Sequence, residues 1–500
     1  MTTFNLEEAT IDSIHDHFIS GELSCRELVE NYLRRIEEYD QNGPNLNSII
    51  TINPTALQEA EELDRVFQQT GEFVGPLHGI PIVVKDQLET KDITTTYGSI
   101  AYKDYLPEED ATVIKKLRQA GGIILAKTNL PDFATAWFTF SSATGDTKNP
   151  YALNRDPGGS SGGTAAAIAA NLATVGIGED TGGSIRVPAS FTNLFGLRVS
   201  TGLISRKGTS PLVHFQDTAG PMTRTVKDMA ILLDSIVGYD SNDSMTAVTV
   251  NAKDAGNYSK QLTAKGLQGA RIGILRDAFG PDSDPSSAEV NQVTNRVIQS
   301  LSDAGAEIID PVTIPNLSAL IEKTSMYTIQ SKKDFNDFLG NKNVPYNKTV
   351  DELYETKQYH DDLDLFIEIA KGPENPEEVP GYFEQRLSQS EFRQEIEKVF
   401  AEHQLDAILF PDVQVLPPTK EEVHSGNLSV LSYPTNTVIA SQTGLPAISM
   451  PGGLTDDGIP VGVELLGKQL DEARLLQLAY SYEYFAKPRK KPSFKHELVK

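Results

Sequence analysis

The sequence predicts an α/β fold, in which a single large mixed β-sheet is covered by α-helices on both faces. Short apolar runs alternate with amphipathic segments along most of the chain, no internal repeat is visible, and 500 residues is a common length for one large α/β unit. The hydrophobic fraction of 39% and the charged fraction of 23% are those of an ordinary globular chain. We therefore expect one domain that spans residues 1–500.

The N-terminal segment, residues 1–75, is predicted to be helical. Thr10 precedes "IDSIHDHFIS" and Ser24 precedes "CRELVENYLRRIEEYD", each in the position of an N-cap residue. In the second stretch, apolar residues recur every three or four positions, which is typical of one buried helix face. A further helix is predicted in "PTALQEAEELDRVFQQTG", which closes on a Gly suited to ending a helix.

The next segment, residues 76–235, is expected to form the core of the sheet. Strands are predicted in "HGIPIVVKD", "IILAKTN" and "TVGIG", and helices in "ATVIKKLRQAGG", "TAAAIAANLA" and "KDMAILLDSIVGYD". After a polar, loop-like stretch at 239–265, "ARIGILRD", "SAEVNQVTNRVIQSLSDAGA" and "EIIDPV" predict a strand, a helix and a strand.

The last two segments differ in composition. Residues 316–400 are more charged and more helical, and we expect them to form an insertion over the edge of the sheet. Residues 401–500 return to the sheet pattern, with strands predicted in "DAILFPD", "PAISMPGG" and "VGVELLGK" and a helix in "DEARLLQLAYSYEYFA". The basic run "KPRKKPSFKH" is predicted to be a solvated tail because Pro interrupts it.

The charge balance is acidic and argues against several function classes. With 44 Lys and Arg against 69 Asp and Glu, the formal net charge is −25, which repels phosphate backbones, so we expect no nucleic-acid partner. Cys25 is the only cysteine, which leaves no intrachain disulfide. The start of the chain lacks the features of a signal peptide, and no run approaches the roughly 20 apolar residues of a membrane span. We predict a cytoplasmic monomer or homodimer with no membrane partner.

Two clusters of Gly and Ser stand close together in "DPGGSSGGTAAAIAANLATVGIGEDTGGSIRVPAS", residues 156–190. The first, "GGSSGG", could be a flexible linker, an anion cradle at a helix start, or part of a catalytic centre. A phosphate-binding P-loop requires a Lys before the Ser or Thr, whereas here Thr164 directly follows Gly163. The second, "TGGS", is either a tight turn or a nest of backbone N–H donors of the kind that binds an oxyanion.

Lys85 is the third candidate feature, because it closes the apolar run "PLHGIPIVVKD". A lone Lys at a strand end is usually a surface charge. If the side chain is buried, however, its pKa falls and the amine becomes usable as a base.

Taken together, these three features resemble the amidase signature family in residue type and spacing. Lys85 and Ser160 are 75 positions apart, and Ser160 and Ser184 are 24 positions apart, as in that family. The resemblance extends to "GEDTGGSIRVPASFTNLFGLR", "LRQAGGIILAKTNLPDFA", "QDTAGPMTRTVKDMAILLDSIVGYD" and "ASQTGLPAISMPGG", and it is weakest over 316–400. It implies the amidase signature fold and hydrolysis of an amide C–N bond. No cluster of His, Cys and carboxylate residues has the spacing of a metal site, so we predict no metal and no cofactor.

The resemblance also implies a role for each matching residue. Ser184 matches the nucleophile, Ser160 matches a bridging serine that follows a cis peptide bond, and Lys85 matches the base. The implied oxyanion donors are the backbone N–H groups of Thr181, Gly182, Gly183 and Ser184. The implied supporting residues are Ser161, Asp180 and Arg186.

This chemistry requires Lys85 to be neutral, since a serine is a poor nucleophile until a base takes its proton. The pKa of an ordinary Lys is about 3.4 units above pH 7, so neutralising its side chain at that pH costs about 4.6 kcal/mol. Burial in a low dielectric removes part of that cost. Ser160 would then relay the proton from Ser184 to Lys85 and later return a proton to the leaving amine.

The chain departs from the family pattern at two positions. Glu179 stands where the family often has Thr, and Val199 stands where Pro is common. Neither position is one of the three catalytic matches. Glu179 is expected to alter the hydrogen bonds and electrostatics around Asp180.

Other interpretations of the histidines and of the whole chain remain open at this stage. A Ser–His–Asp triad would use His78 or His214, although we expect His78 to be structural and His214 to line the pocket. Cys25 lies on an amphipathic helix and is not expected to be a nucleophile. The chain itself could be a free-standing amidase, the A subunit of a tRNA-dependent amidotransferase, or a binding protein on an inactive amidase scaffold.

The pocket for the acyl group is predicted by position rather than by motif. We expect it to draw on loops near 131–145, including Trp137 and Phe138, and on residues 210–218. The insertion at 316–400 is expected to lie near the substrate entrance.

Overall fold

A computed structural model describes residues 4–340 and 348–494. Within these residues, one mixed sheet has eleven strands in the order β1-β3-β2-β6-β8-β7-β12-β13-β11-β9-β10, and β4 pairs with β5 in a separate hairpin. The strands are β1 (Ile49–Ile52), β2 (Pro81–Lys85), β3 (Ile123–Thr128), β4 (Phe140–Ser141), β5 (Gly145–Asp146), β6 (Val175–Asp180), β7 (Phe195–Arg198), β8 (Thr218–Thr223), β9 (Arg271–Leu275), β10 (Glu307–Val312), β11 (Ala407–Pro411), β12 (Ala447–Leu454) and β13 (Pro460–Leu466).

The helices connect and cover these strands. They are α1 (Ile11–Ser20), α2 (Cys25–Arg35), α3 (Ala56–Thr70), α4 (Thr112–Gln119), α5 (Gly162–Ala169), α6 (Arg186–Phe191), α7 (Val226–Ile236), α8 (Pro285–Asp303), α9 (Leu317–Lys323), α10 (Tyr327–Gly340), α11 (Val350–Glu355), α12 (Asp364–Ala370), α13 (Tyr382–His403), α14 (Lys420–His424), α15 (Val438–Thr443) and α16 (Glu472–Ala486). Short 3₁₀ segments and one π-helical segment, Ile36–Gln41, lie between them.

The predicted α/β class, with one large mixed sheet, is confirmed. Strand β2 runs parallel to both β3 and β6, whereas β8, β7, β12 and β13 pair in antiparallel fashion. All five residues of β2 and all six of β6 are buried. Because successive side chains of a strand point to opposite faces, full burial means that this part of the sheet is covered on both sides.

The N-terminal helices begin where the sequence predicts. Thr10 and Ser24 each accept a hydrogen bond from the third residue of the helix that follows, and the side chain of that residue returns to the cap. The helix after Ser24 is shorter than predicted: regular α-geometry ends at Arg35, and the chain continues as the π-helical segment.

Residues 316–400 contribute helices α9 to α13 and, within the described part, no strand. Aromatic rings hold this segment against the rest of the chain. The ring of Phe133 lies 5.5 Å from that of Phe335 and 5.9 Å from that of Phe366. Phe133 belongs to the stretch 131–145, so the 316–400 segment packs on residues that were predicted to line the pocket.

The basic run near the C-terminus is not wholly a solvated tail, and that prediction was wrong for Arg489. The Arg489 guanidinium pairs with the carboxylate of Glu8, with Nε 2.7 Å from Oε2. Its nitrogens also donate to the carbonyl oxygens of Asn193 and Ala169. The side chain is only 9% exposed, so the arginine fastens the C-terminal segment to the core. The last residues of the run, 495 and 496, lie outside the described residues.

Across residues 4–340 and 348–494, no helix combines the length and the apolar character that crossing a membrane requires.

His424 connects the 316–400 segment to the hairpin of β4 and β5. Its Nδ1 lies 2.6 Å from Oδ2 of Asp362, and its Nε2 lies 3.0 Å from Oδ1 of Asp146. Burial lowers the pKa of His424, but the hydrogen bonds and charges of the two carboxylates outweigh burial and raise the pKa above its usual value.

These ion pairs make stability depend on pH. Because the pKa of His424 is raised in the folded protein, its ion pairs contribute fully to the free energy of unfolding below the pKa of an unfolded His, about 6.5. That contribution is lost as the pH rises through the pKa of His424 in the folded protein. We therefore expect His424→Gln to lower the unfolding temperature more at about pH 5.5 than at about pH 9. Thermal unfolding of both proteins at the two pH values measures this, and equal losses would contradict it.

Candidate active site

Lys85 ends strand β2 beside the end of strand β6. The two strands are parallel, with Val84 opposite Ile177, so their carboxyl ends meet at one edge. The apolar run before Lys85 fills the core, and the Lys85 side chain is itself fully buried. Burial lowers the pKa of Lys85, although the neighbouring carboxylate of Glu179 acts in the opposite direction.

The Lys85 amine has three close oxygen neighbours. Its Nζ lies 2.8 Å from Oγ of Ser160, 3.2 Å from the carbonyl oxygen of Glu179 and 3.4 Å from Oε2 of the same residue. The side chains of Lys85 and Glu179 are both 0% exposed, so no bulk water screens this group. An amine held next to a hydroxyl without solvent can exchange a proton with it.

The two Gly and Ser clusters lie side by side. The peptide bond between Gly159 and Ser160 is cis. The N–H of Ser161 donates to the carbonyl oxygen of Ser184 at 3.0 Å. The hydroxyl of Ser161 donates to the carbonyl oxygen of Glu179 at 3.1 Å. Hydrogen bonds thus hold the two clusters together although they are separated in sequence, and both loops meet at the end of β6.

The loop "TGGS" needs its two glycines because its neighbours approach closely. A Cβ added to Gly182 would lie 1.8 Å from the hydroxyl oxygen of Tyr327 and 2.5 Å from the Trp137 ring. At Gly183 φ is +146°, and an added Cβ would lie 1.9 Å from Oγ1 of Thr437. Since no side chain fits at either position, glycine is required for Tyr327, Trp137 and Thr437 to pack directly against the backbone of this loop.

Asp180 and Arg186 form an ionic centre behind the loop, and Arg198 completes it. Arg186 donates to both carboxylate oxygens of Asp180, at 3.2 and 3.1 Å, and Arg198 donates to Oδ1 at 2.9 Å. Arg186 also reaches Oε1 of Glu464 at 2.7 Å. All four side chains are fully buried. Burial alone would raise the pKa of Asp180, but the two guanidinium groups hold it well below its usual range.

Removing the charge of Asp180 is expected to destabilise the fold. Asp180→Asn would leave two buried guanidinium groups without their shared carboxylate, and we expect a loss of about 3–5 kcal/mol in the free energy of unfolding. Asp12→Asn is the control, because the pair of Asp12 with Lys227 is half exposed and contributes at most about 1 kcal/mol. Urea denaturation of the three proteins measures both changes, and similar losses in the two variants would contradict the role of Asp180.

Some contacts of the site were missed by reasoning from the sequence. Asp217 accepts a hydrogen bond from the hydroxyl of Thr181 at 2.6 Å; residues 210–218 were predicted to line the pocket, but this contact with the "TGGS" loop was not predicted. Tyr327 and Thr437 border the glycines, but neither carries a signal in its own sequence context. Glu179 was visible as a departure from the family, although its contact with Lys85 was not predicted.

The histidine and cysteine candidates have structural contacts. The ring of His78 stacks on Phe73 with centroids 4.8 Å apart, and burial lowers its pKa to about 4. The backbone N–H of His214 donates to Asp334. Cys25 is buried in the core, and burial raises the pKa of its thiol. Among the described residues, no group of three or more His, Cys, Asp or Glu side chains is placed to hold a metal ion.

Comparisons with known proteins place the chain in a family. Residues 27–476 match the model of the Amidase family. The chain is 34% identical to the A subunit of glutamyl-tRNA(Gln) amidotransferase from Thermoanaerobacter pseudethanolicus, covering 97% of this chain and 98% of the relative. It is 33% identical to a probable amidase of Arabidopsis thaliana, covering 99% and 93%.

Solved structures extend the likeness to three dimensions. The peptide amidase of Stenotrophomonas maltophilia superposes with a TM-score of 0.87 at 33% identity, covering 98% of this chain and 99% of that structure. The A subunit of glutamyl-tRNA(Gln) amidotransferase from Thermotoga maritima superposes with a TM-score of 0.77 at 27% identity, covering 99% and 100%. Both the family model and these relatives span nearly the whole chain, and the chain belongs to the Amidase family of enzymes, which act on amide C–N bonds.

Proposed function

We propose that this chain is a free-standing amidase that hydrolyses a carboxamide to a carboxylic acid and ammonia or an amine, with Ser184 as the nucleophile, Ser160 as the bridge and Lys85 as the base. The observation that carries the proposal is the 2.8 Å contact between Lys85 Nζ and Ser160 Oγ in a fully buried site. This contact supports Lys85 as the base that a serine nucleophile requires.

The proposed reaction begins with a proton relay. Neutral Lys85 takes the hydroxyl proton of Ser160 while Ser160 takes that of Ser184, and Ser184 Oγ forms a bond to the carbonyl carbon. The proton then returns from Lys85 through Ser160 to the amide nitrogen as the C–N bond breaks, so the amine leaves neutral. Water attacks the resulting ester by the same relay, which releases the acid and restores Ser184.

The loop between β6 and α6 is proposed to stabilise the tetrahedral intermediate. Backbone N–H groups of Thr181, Gly182, Gly183 and Ser184 would donate to the oxyanion, and the two glycines allow close approach. Loss of one such donor typically lowers turnover by about 10²–10³-fold. Ser161, Asp180 and Arg186 are proposed to hold this loop in place through the hydrogen bonds described above.

A second candidate is the A subunit of an amidotransferase, which would hydrolyse glutamine and pass ammonia to a partner. Its support is the 34% identity to such a protein. We favour the free-standing amidase because the superposition is better on the peptide amidase, with a TM-score of 0.87, than on the amidotransferase protein, with 0.77. The proposed substrate is accordingly a small amide, with no nucleic-acid partner.

Release of ammonia or amine from a panel of amides tests the proposal. The panel holds simple carboxamides, aryl amides, peptide C-terminal amides and glutamine, and the purified chain is assayed alone. We expect hydrolysis of at least one non-glutamine amide without any partner. Glutaminase activity that appears only with an added amidotransferase B-type subunit would support the second candidate instead.

A further inference from the structure

Glu179 brings a carboxylate into the site that the proposed reaction does not use. Its Oε2 lies 3.4 Å from Nζ of Lys85, and its Oε1 lies 3.3 Å from the hydroxyl oxygen of Thr181. The carboxylate therefore connects the amine at the end of β2 with the first residue of the "TGGS" loop. The Glu179 side chain is 0% exposed, so this charge has no access to bulk solvent.

Two other carboxylates lie near Glu179, and each already has hydrogen-bond donors of its own. Asp180, on the opposite face of β6, is neutralised by Arg186 and Arg198. Asp217 accepts hydrogen bonds from the Thr181 hydroxyl and from two backbone N–H groups in the loop before β8. Among the described residues, the one cationic side chain within ion-pair distance of the Glu179 carboxylate is that of Lys85.

A buried amine and a buried carboxylic acid in contact have two forms of equal net charge. In one form the pair is an ammonium and a carboxylate. In the other, an N–H bond of Lys85 has broken, an O–H bond of Glu179 has formed, and both groups are neutral. Burial disfavours isolated charges in both groups: it lowers the pKa of Lys85 and raises the pKa of Glu179.

We propose that Glu179 is a positioning residue that shares one proton with Lys85 and sets the pH range in which Lys85 acts as the base. The inference rests on the proposed function, because it assigns Lys85 that role. The carboxylate attracts the proton to the pair and so holds Lys85 protonated to a higher pH than an uncharged side chain would. Hydrolysis by this chain therefore begins at a higher pH than it would with an amide or hydroxyl at position 179.

The pH dependence of kcat/KM for Glu179→Gln tests the proposal, because glutamine keeps the shape and removes the charge. We expect the acid limb of the profile to move to lower pH by at least about one unit relative to the unaltered chain. The rate at which a fluorophosphonate labels Ser184 is expected to move by the same amount, since it reports the same activation of the hydroxyl. Glu179→Thr serves as a second uncharged variant if glutamine impairs folding.

Glu472→Gln is the matched control. Glu472 is also 0% exposed, but it accepts the backbone N–H of Ser200 at 2.7 Å rather than contacting Lys85. Its profile is expected to superimpose on that of the unaltered chain. If Ser184 is still labelled but the acid limb of the Glu179 variant does not move, or moves no more than that of the control, the proposed role of Glu179 is overturned. Absence of Ser184 labelling in every protein would overturn the proposed function as well.

Discussion

Ser184→Ala is expected to lower amide turnover by about 10⁴-fold or more, because it removes the only atom proposed to bond to the substrate carbon. Ser184 is 3% exposed and the change deletes one oxygen, so we expect the unfolding temperature to stay close to that of the unaltered chain. Steady-state release of ammonia or amine from the best substrate of the panel measures the loss. Substrate binding is expected to persist in the variant.

Ser190→Ala is the control for this change. Ser190 is equally buried, lies on α6 a few residues further along, and accepts the backbone N–H of Gly462 at 2.9 Å. Its loss is expected to cost about 1 kcal/mol of stability and to leave kcat nearly unchanged. Turnover by Ser184→Ala at the level of this control would show that another residue is the nucleophile.

Lys85→Met is expected to lower kcat by about 10²–10⁴-fold, which is the usual contribution of a general base. Methionine fills a similar volume without an amine, so Ser160 loses the group that takes its proton. Labelling of Ser184 by a fluorophosphonate is expected to slow by a similar factor. Both rates are measured per folded molecule, with the folded fraction taken from thermal unfolding.

Lys127→Met separates loss of the base from loss of a buried cation. Lys127 lies on the adjacent strand β3, is also fully buried, and pairs with Asp86 at 2.9 Å. We expect this variant to be destabilised while its folded molecules still label at Ser184. If Lys85→Met kept its labelling rate, or if both lysine variants lost labelling equally, Lys85 would not be the base.

The strands and helices that carry strong patterns were predictable from the sequence. Continuous apolar runs predicted β2, β3 and β6, and capping residues predicted the starts of α1 and α2. The strands β1, β7 and β8 were missed. Strand β1 pairs with β3 in the main sheet, so the prediction that residues 1–75 are helical was wrong for Ile49–Ile52, and β7 and β8 join the two halves of the sheet. Strand β8 reads "TAGPMT", in which Gly and Pro lower strand propensity, and β7 has only four residues. Their pairing depends on neighbours that are distant in sequence.

Short sequence motifs predicted the candidate catalytic residues but not the contacts that surround them. Lys85, Ser160 and Ser184 were selected by type and spacing, and the structure places the Lys85 amine next to the Ser160 hydroxyl. The contact of Glu179 with the same amine depends on the register of β2 against β6, which no local pattern contains. Tyr327 reaches Gly182 from a helix of the 316–400 segment, where the resemblance is weakest.

Trapping of the acyl-enzyme tests the central claim most directly. The chain is mixed with a slowly hydrolysed ester or anilide of the preferred acyl group, quenched in acid during turnover, and examined by intact mass and peptide mapping. We predict a mass increase equal to one acyl group, located on Ser184 and absent from Ser184→Ala. Rapid turnover with an acyl group found on another residue would contradict the account.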